Sequence, residues 1–279
     1  MKLIITLGLY GILCYAITSI NCSVPDANAH GNDHTVSAAR TTDAEPSVTQ
    51  ESKCPSEMID IEGNYCPIVE ENCLEWDEKV VNVNGRVRCL RFGSSKCLSP
   101  KREHLHFCMD KFEYQKDKSD PLPTVMVSFN EMRSLAKKED KRLCYDYEWT
   151  FACMGENLQP YANGWTREPT KCNIDKPWIA FDEIKLANPK TRDEEVKRIS
   201  QRVSVDGNPD CLSPFGVYGM VGNVDELLIN TNANVAHKNT LKSGHWAIGA
   251  RNRCLPRTDA HNEDFSFYEV GARLCKDIK

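Results

Sequence analysis

Apolar positions along this chain fall into three regimes. Residues 3–20 (LIITLGLYGILCYAITSI) form one nearly continuous apolar run behind a single basic residue, Lys2. It is long enough to span a bilayer, but small residues close it, polar sequence follows and no second such run appears. Residues 1–22 are therefore expected to be a signal peptide. Cys22 stands where a bacterial lipid anchor would be attached, although the Ser19-Ile20-Asn21 lead-in departs from the usual processing site. Residues 23–53 hold no apolar side chain larger than valine and are rich in Ala, Ser, Thr, Asp and Pro. Such a stretch buries too little surface to offset its conformational entropy, so it reads as a disordered linker. His30 and His34 within it read as solvated side chains.

From Cys54 onward the pattern changes to short periodic segments. Residues 79–83 and 86–92 alternate around Asn84-Gly85, a turn signal that makes KVVNVNGRVRCLRF a β-hairpin. Ser128-Phe129-Asn130-Glu131 has the form of a capping box, and Met132, Leu135 and Ala136 follow at helical spacing. A second helix is expected over 146–154, with Trp149, Ala152 and Cys153 on one face and Gly155 ending it. Beyond it the chain is rich in loops, at 160–165, 172–175 and 205–209. The charged interval 182–202 (DEIKLANPKTRDEEVKRISQR) reads as a solvated insertion or a short exposed helix.

Composition narrows the class. The chain has 279 residues, 14 cysteines, 35 Lys+Arg and 40 Asp+Glu, for a formal net charge of −5. Without a basic block it has no means of neutralising a phosphate backbone, so nucleic acid is excluded as a partner. Cysteine at this density in a chain with an export signal points to disulfides in an oxidising compartment: periplasm, cell surface or secretion. Six cysteines, Cys54, Cys66, Cys73, Cys89, Cys97 and Cys108, crowd an N-terminal segment at 54–104 and its edge, and their connectivity cannot be read from spacing. Irregular gaps with no CxxC pair argue against zinc there. His104 and His106 share one face of a strand without a third ligand beside them. No GxSxG elbow and no phosphate-cradling loop is present.

Several segments then occur in a telling order: FCMDKFEY (107–114), PTVMVSF (123–129), KRLCYDYEWTFAC (141–153), FGVYGMVGNVDEL (215–227), LKSGHW (241–246) and VGARLC (270–275). Together they resemble the formylglycine-generating enzyme family, or sulfatase-modifying factor domain, whose signatures are KRLPTEAEWEYA, GLYDMxGNVWEW, RGGSW and a terminal GFR. The resemblance covers residues 105–277 and defines a domain at 105–279. It implies an α+β, C-type-lectin-like fold with little regular secondary structure and many disulfides. It also implies calcium held by Gly222, Val224 and Glu226, and a second ion at Asn173 and Ile174, although Gly219 stands where the family often has Asn or Asp.

The family's converting enzymes oxidise a substrate cysteine with molecular oxygen on copper held by two thiolates, which lie between the RGGSW and GFR motifs. Here that interval is short and carries one cysteine, Cys254, which matches a structural position. Copper is therefore not expected, and neither is formylglycine generation. The resemblance implies a Cys153–Cys254 bridge; Cys144 is then the substitute partner for Cys275, leaving Cys172 for Cys211. The loop after Trp246 would line the pocket, with His245, Trp246, Arg251, Arg253, Arg257 and His261 as candidates to bind an anion or carboxylate, or as arginines that satisfy loop carbonyls. Two functions follow as expectations. One is an exported, non-catalytic module that binds an extracellular or periplasmic ligand or protein, touching a membrane only through an N-terminal lipid or uncleaved signal. The other is a metal- and oxygen-dependent oxidase of the same family, which requires three open metal ligands around Trp246 and His245.

Overall fold

The structure is a computed structural model that describes residues 53–82, 85, 86 and 88–278. The signal peptide, the linker, Cys14, Cys22, His30, His34 and the turn residue Asn84 lie outside the described residues.

In the cysteine-rich segment the strands are short. They are β1 (Met58–Tyr65), β2 (Val69–Glu70), β3 (Cys73–Trp76), β4 (Val81–Asn82), β5 (Gly85–Arg86), β6 (Cys89–Phe92) and β7 (Lys96–Cys97), followed by β8 (Glu103–Asp110). The expected hairpin is present: β4 pairs with β5, and the pairing continues outward as β3 against β6, which extends it beyond residues 79–92. Three bridges hold this segment, Cys54–Cys108, Cys66–Cys97 and Cys73–Cys89. Strand β1 pairs antiparallel with β8 along its whole length, from Met58↔Asp110 to Tyr65↔Glu103, so the cysteine-rich segment supplies an edge strand to the sheet that follows.

Downstream come α1 (Phe129–Lys138), β9 (Arg142–Leu143), α2 (Asp146–Met154), α3 (Glu183–Ala187) and α4 (Arg192–Ile199). Strands β10 (Asp225–Ile229), β11 (Asn239–Lys242), β12 (Val270–Ala272) and β13 (Leu274–Asp277) complete the chain. Two sheets organise them. One has the order β1-β8-β13-β9, the other β11-β10-β12, with β10 antiparallel to β11 and parallel to β12. Among the described residues no helix is long and apolar enough to cross a membrane.

Local chemistry explains the helices. The Ser128 side chain accepts from Glu131 N at 3.2 Å, and Phe129, Met132 and Ala136 form the buried face of α1. In α2 the Glu148 carboxylate caps Tyr145 N at 2.9 Å and is itself gripped by Arg142 through two contacts of 2.7 Å. The sequence predicts one apolar face for α2; in fact every residue of it except Tyr147 is buried, because it is enclosed on all sides. Gly155 ends it at φ 62°, where a Cβ would meet Pro214 at 2.8 Å. Interval 182–202 departs from the sequence reading. Helices α3 and α4 fold back so that Leu186, Val196 and Ile199 pack with Val224, Trp246 and Tyr268. Glu195, buried, accepts from Asp182 N and from Arg198. Charge density concealed three well-spaced apolar anchors.

The remaining bridges are Cys144–Cys275, Cys153–Cys254 and Cys172–Cys211. The first ties the start of α2 to β13 and the second ties the end of α2 to the loop after Trp246. Chain segments of 131 and 101 residues are thereby closed. In the chain-entropy view each bridge contributes about 3 to 5 kcal/mol.

Candidate functional site

Strand order sets one site. Because β10 lies between an antiparallel and a parallel neighbour, its first residue, the exit of β11 and the entry to β12 share one end of the sheet. Asp225 opens β10 and Glu269 immediately precedes β12; the Glu269 carbonyl accepts from Asp225 N at 2.9 Å. Past β11 the backbone runs through Ser243 and Gly244, at φ 85° and 66°. A Cβ at Gly244 would meet Asn252 Nδ2 at 2.7 Å, so the turn requires glycine. That turn delivers His245 between the two carboxylates. Its Nε2 lies 3.2 Å from Glu269 Oε2 and its Nδ1 3.9 Å from Asp225 Oδ2. Arg251 clamps Asp225 with contacts of 2.8 and 2.5 Å, and Gly244 N donates to the same carboxylate at 2.9 Å. Burial, reinforced by the charge of Asp225, pushes Glu269 up to about 7, and burial lowers His245. Trp246 is buried beside the imidazole, edge to face at 5.5 Å. His261 stacks on Phe265 at 3.7 Å, and partial burial followed by the Arg251 charge lowers its pKa.

A second site lies where α2 meets the exit of β11. A cavity of about 570 Å³ is lined by Lys242, Arg257, Asp146, Thr150, Thr231 and Tyr147 among others. Lys242 is 3% exposed; its Nζ donates to Leu255 O at 2.8 Å and sits 5.5 Å from the Trp149 ring centre. Burial brings Lys242 down to about 7. Arg257 pairs with Asp146 at 2.9 Å and with Asp259 at 3.0 Å. Arg253 turns elsewhere, to Glu71 and the face of Phe92. The six pocket candidates are thus divided: His245, Trp246 and Arg251 stand at the sheet end, Arg257 in the cavity, Arg253 against the cysteine-rich segment and His261 against Phe265. All three arginines engage carboxylates. Asp225, Glu269 and Lys242 were not among the sequence candidates. For two of them a signal was available, since Asp225 occupies the place of the first Trp in GNVWEW and Lys242 that of Arg in RGGSW; no motif marks Glu269.

A profile of the sulfatase-modifying factor enzyme 1-like domain matches residues 63–278. The chain belongs to that family. A solved structure of CarF superposes with a TM-score of 0.51 at 14% identity, covering 81% of this chain and 99% of that one. PvdO from Pseudomonas aeruginosa gives 0.47 at 14% identity, covering 81% and 97%. The likeness to CarF concerns the fold alone. A search of curated protein sequences found no match.

Measured against the sulfatase-modifying factor family, the residues do not fit copper held by paired thiolates. Cys254 is bonded to Cys153, and all twelve cysteines among the described residues are in disulfides. At the calcium positions Glu226 is fully buried, taken by Arg273 Nη2 at 2.9 Å and Trp149 Nε1 at 2.7 Å. Ser243 Oγ donates to Gly222 O at 3.0 Å. Val224 N donates to Glu113 Oε1 at 3.3 Å. Burial, with the nearby Glu226 charge, pushes Glu113 up to about 8. The second position abuts the first: Asn223 N donates to Asn173 O, and Gly222 is packed against Asn173 and Ile174 so tightly that a Cβ would lie 2.4 Å from Asn173 O. Asn173 Oδ1 is buried and has no hydrogen-bond partner.

Proposed function

We propose that this protein is an exported sulfatase-modifying-factor-like domain that binds a ligand or protein partner and does not convert cysteine to formylglycine. The saturation of its cysteines carries this reading. Conversion needs two free thiolates facing one pocket, because soft thiolates are what hold cuprous copper. The loop after Trp246 has only Cys254, and Cys153 holds it. Twelve cysteines in disulfides also support an oxidising, exported setting.

The cavity beside α2 suits the bound ligand. Arg257 offers a cationic donor, Lys242 an amine, Thr150 and Thr231 hydroxyls, and Tyr147 an aromatic edge, all in a concave space of about 570 Å³. Such walls fit a small carboxylate-bearing molecule. For calcium, the buried and unpaired Asn173 Oδ1 is an available ligand oxygen. Titration calorimetry of the full chain with a panel of small mono- and dicarboxylates tests the reading. Saturable binding that Arg257→Ala removes supports it. Mass spectrometry of a cysteine-containing peptide incubated with the protein, copper and oxygen should show no change, and conversion to formylglycine would overturn it. The oxidase alternative requires three open metal ligands near Trp246 and His245, and Asp225, His245 and Glu269 are the observation in its favour.

A further inference from the structure

Three side chains with metal-ligating atoms meet at the end of the β11-β10-β12 sheet, each from a different strand boundary. One donor atom from each of Asp225, His245 and Glu269 lies within 4.8 Å of the other two. We propose that these three residues form a binding site for a divalent transition-metal ion of the zinc, manganese or ferrous class. Its three donors are other residues than the calcium positions Gly222, Val224 and Glu226 and than Cys254, and it does not depend on the ligand-binding reading, since a bound ion need oxidise nothing.

The donor set selects the class of ion. One imidazole with two carboxylates suits borderline divalent metals, whereas calcium takes oxygen ligands alone and cuprous copper seeks sulfur. Metal bonds of about 2.0 to 2.2 Å bring such donors together with small side-chain rotations. The carboxylate at the centre is already positioned from behind. Gly244 N and Arg251 hold Asp225 with contacts of 2.9, 2.8 and 2.5 Å, the kind of outer partner that orients a metal ligand. Oδ1 takes both Gly244 N and one guanidinium nitrogen, whereas Oδ2 takes a single guanidinium contact and keeps a second lone pair for an ion, and Oδ2 is the oxygen 3.9 Å from His245 Nδ1.

Charge favours occupancy as well. Two carboxylates face one another across a neutral imidazole, and a single guanidinium offsets one of them. Both carboxylates lie against the same imidazole, Glu269 at 3.2 Å and Asp225 at 3.9 Å. A divalent ion relieves their repulsion. Access comes from the outer side, where the His245 and Glu269 side chains are 18% and 17% exposed while Asp225 is 1% exposed. Three protein ligands leave further coordination positions open to water or an anionic group, as in catalytic metal sites.

The test uses the full chain with disulfides intact, stripped of metal by a chelator and titrated calorimetrically with zinc alone, then with cobalt(II) alone to record the d–d spectrum. We expect one equivalent of zinc per chain and a cobalt spectrum of low coordination number. Glu269→Gln, nearly isosteric and partly exposed, should weaken zinc by roughly tenfold or more. His245→Ala should do the same and abolish the cobalt spectrum; where that variant does not fold, Glu269→Gln decides. His106→Ala, which removes the imidazole 2.8 Å from Asp60, serves as the surface control and should bind as the native chain does. Absence of saturable uptake, uptake undiminished by Glu269→Gln, or uptake lost in His106→Ala would each overturn the site and show Asp225, His245 and Glu269 to be an ion-pair network only.

Discussion

Lys242 makes the energetics of the cavity measurable. Its ammonium would be almost wholly removed from water, with one carbonyl acceptor 2.8 Å away and an aromatic face beneath it. Burial lowers its pKa from 10.5 to about 7. In the unfolded chain the side chain keeps its ordinary value, so between the two the unfolded state binds one more proton than the folded state. Stability contributed at this position therefore rises with pH across that window, by about 1.4 kcal/mol per unit. Below about pH 7 both states are protonated and the cost of burying the charge is present in full. Lys242→Met removes the titration and keeps most of the volume. Denaturant unfolding of the native chain and the variant, disulfides intact, should be compared from about pH 6 to about pH 9. The native-minus-variant free energy is expected to climb by about 2 to 3 kcal/mol between pH 7 and 9, and to be nearly flat below pH 6. A difference independent of pH would refute the reasoning, because it would mean that Lys242 stays charged when folded.

Arg273→Met leaves the fully buried Glu226 without its guanidinium, and frees Asp110 O and Tyr218 O as well. The midpoint of denaturant unfolding should fall by the equivalent of about 3 to 5 kcal/mol, and adding Glu226→Gln should recover part of it. Ile199→Ala at the end of α4 should cost about 2 to 5 kcal/mol by the same assay, whereas a solvated insertion would lose less than about 0.5 kcal/mol. Chelating calcium should leave the thermal midpoint almost unchanged, since Glu226 is held by Arg273; a fall of several degrees would mean the carboxylate exchanges that partner for the ion.

What local pattern could reveal, it revealed. Ser128 caps α1 where the capping box put it, α2 has the expected bounds, and the hairpin around residue 84 continues into β3 and β6. The charged interval 182–202 was opaque because its anchors, Leu186, Val196 and Ile199, are outnumbered by lysines and carboxylates that point outward. The division of the pocket candidates was not legible for a different reason. His245 and Arg257 belong to one continuous stretch of sequence, but the left-handed turn at Ser243 and Gly244 sends His245 to the sheet end while Arg257 faces α2. Glu269 meets Asp225 only because β12 pairs in parallel with β10, a long-range choice that no short motif encodes.

With its core cysteines committed to disulfides, the fold offers no pair of thiolates to copper. Peptide mapping under non-reducing conditions, with copper quantified on the same sample, tests this most directly. The account expects Cys153 linked to Cys254, Cys144 to Cys275 and Cys172 to Cys211, with no copper in proportion to protein. Free thiols at Cys153 and Cys254 accompanied by one copper per chain would contradict it.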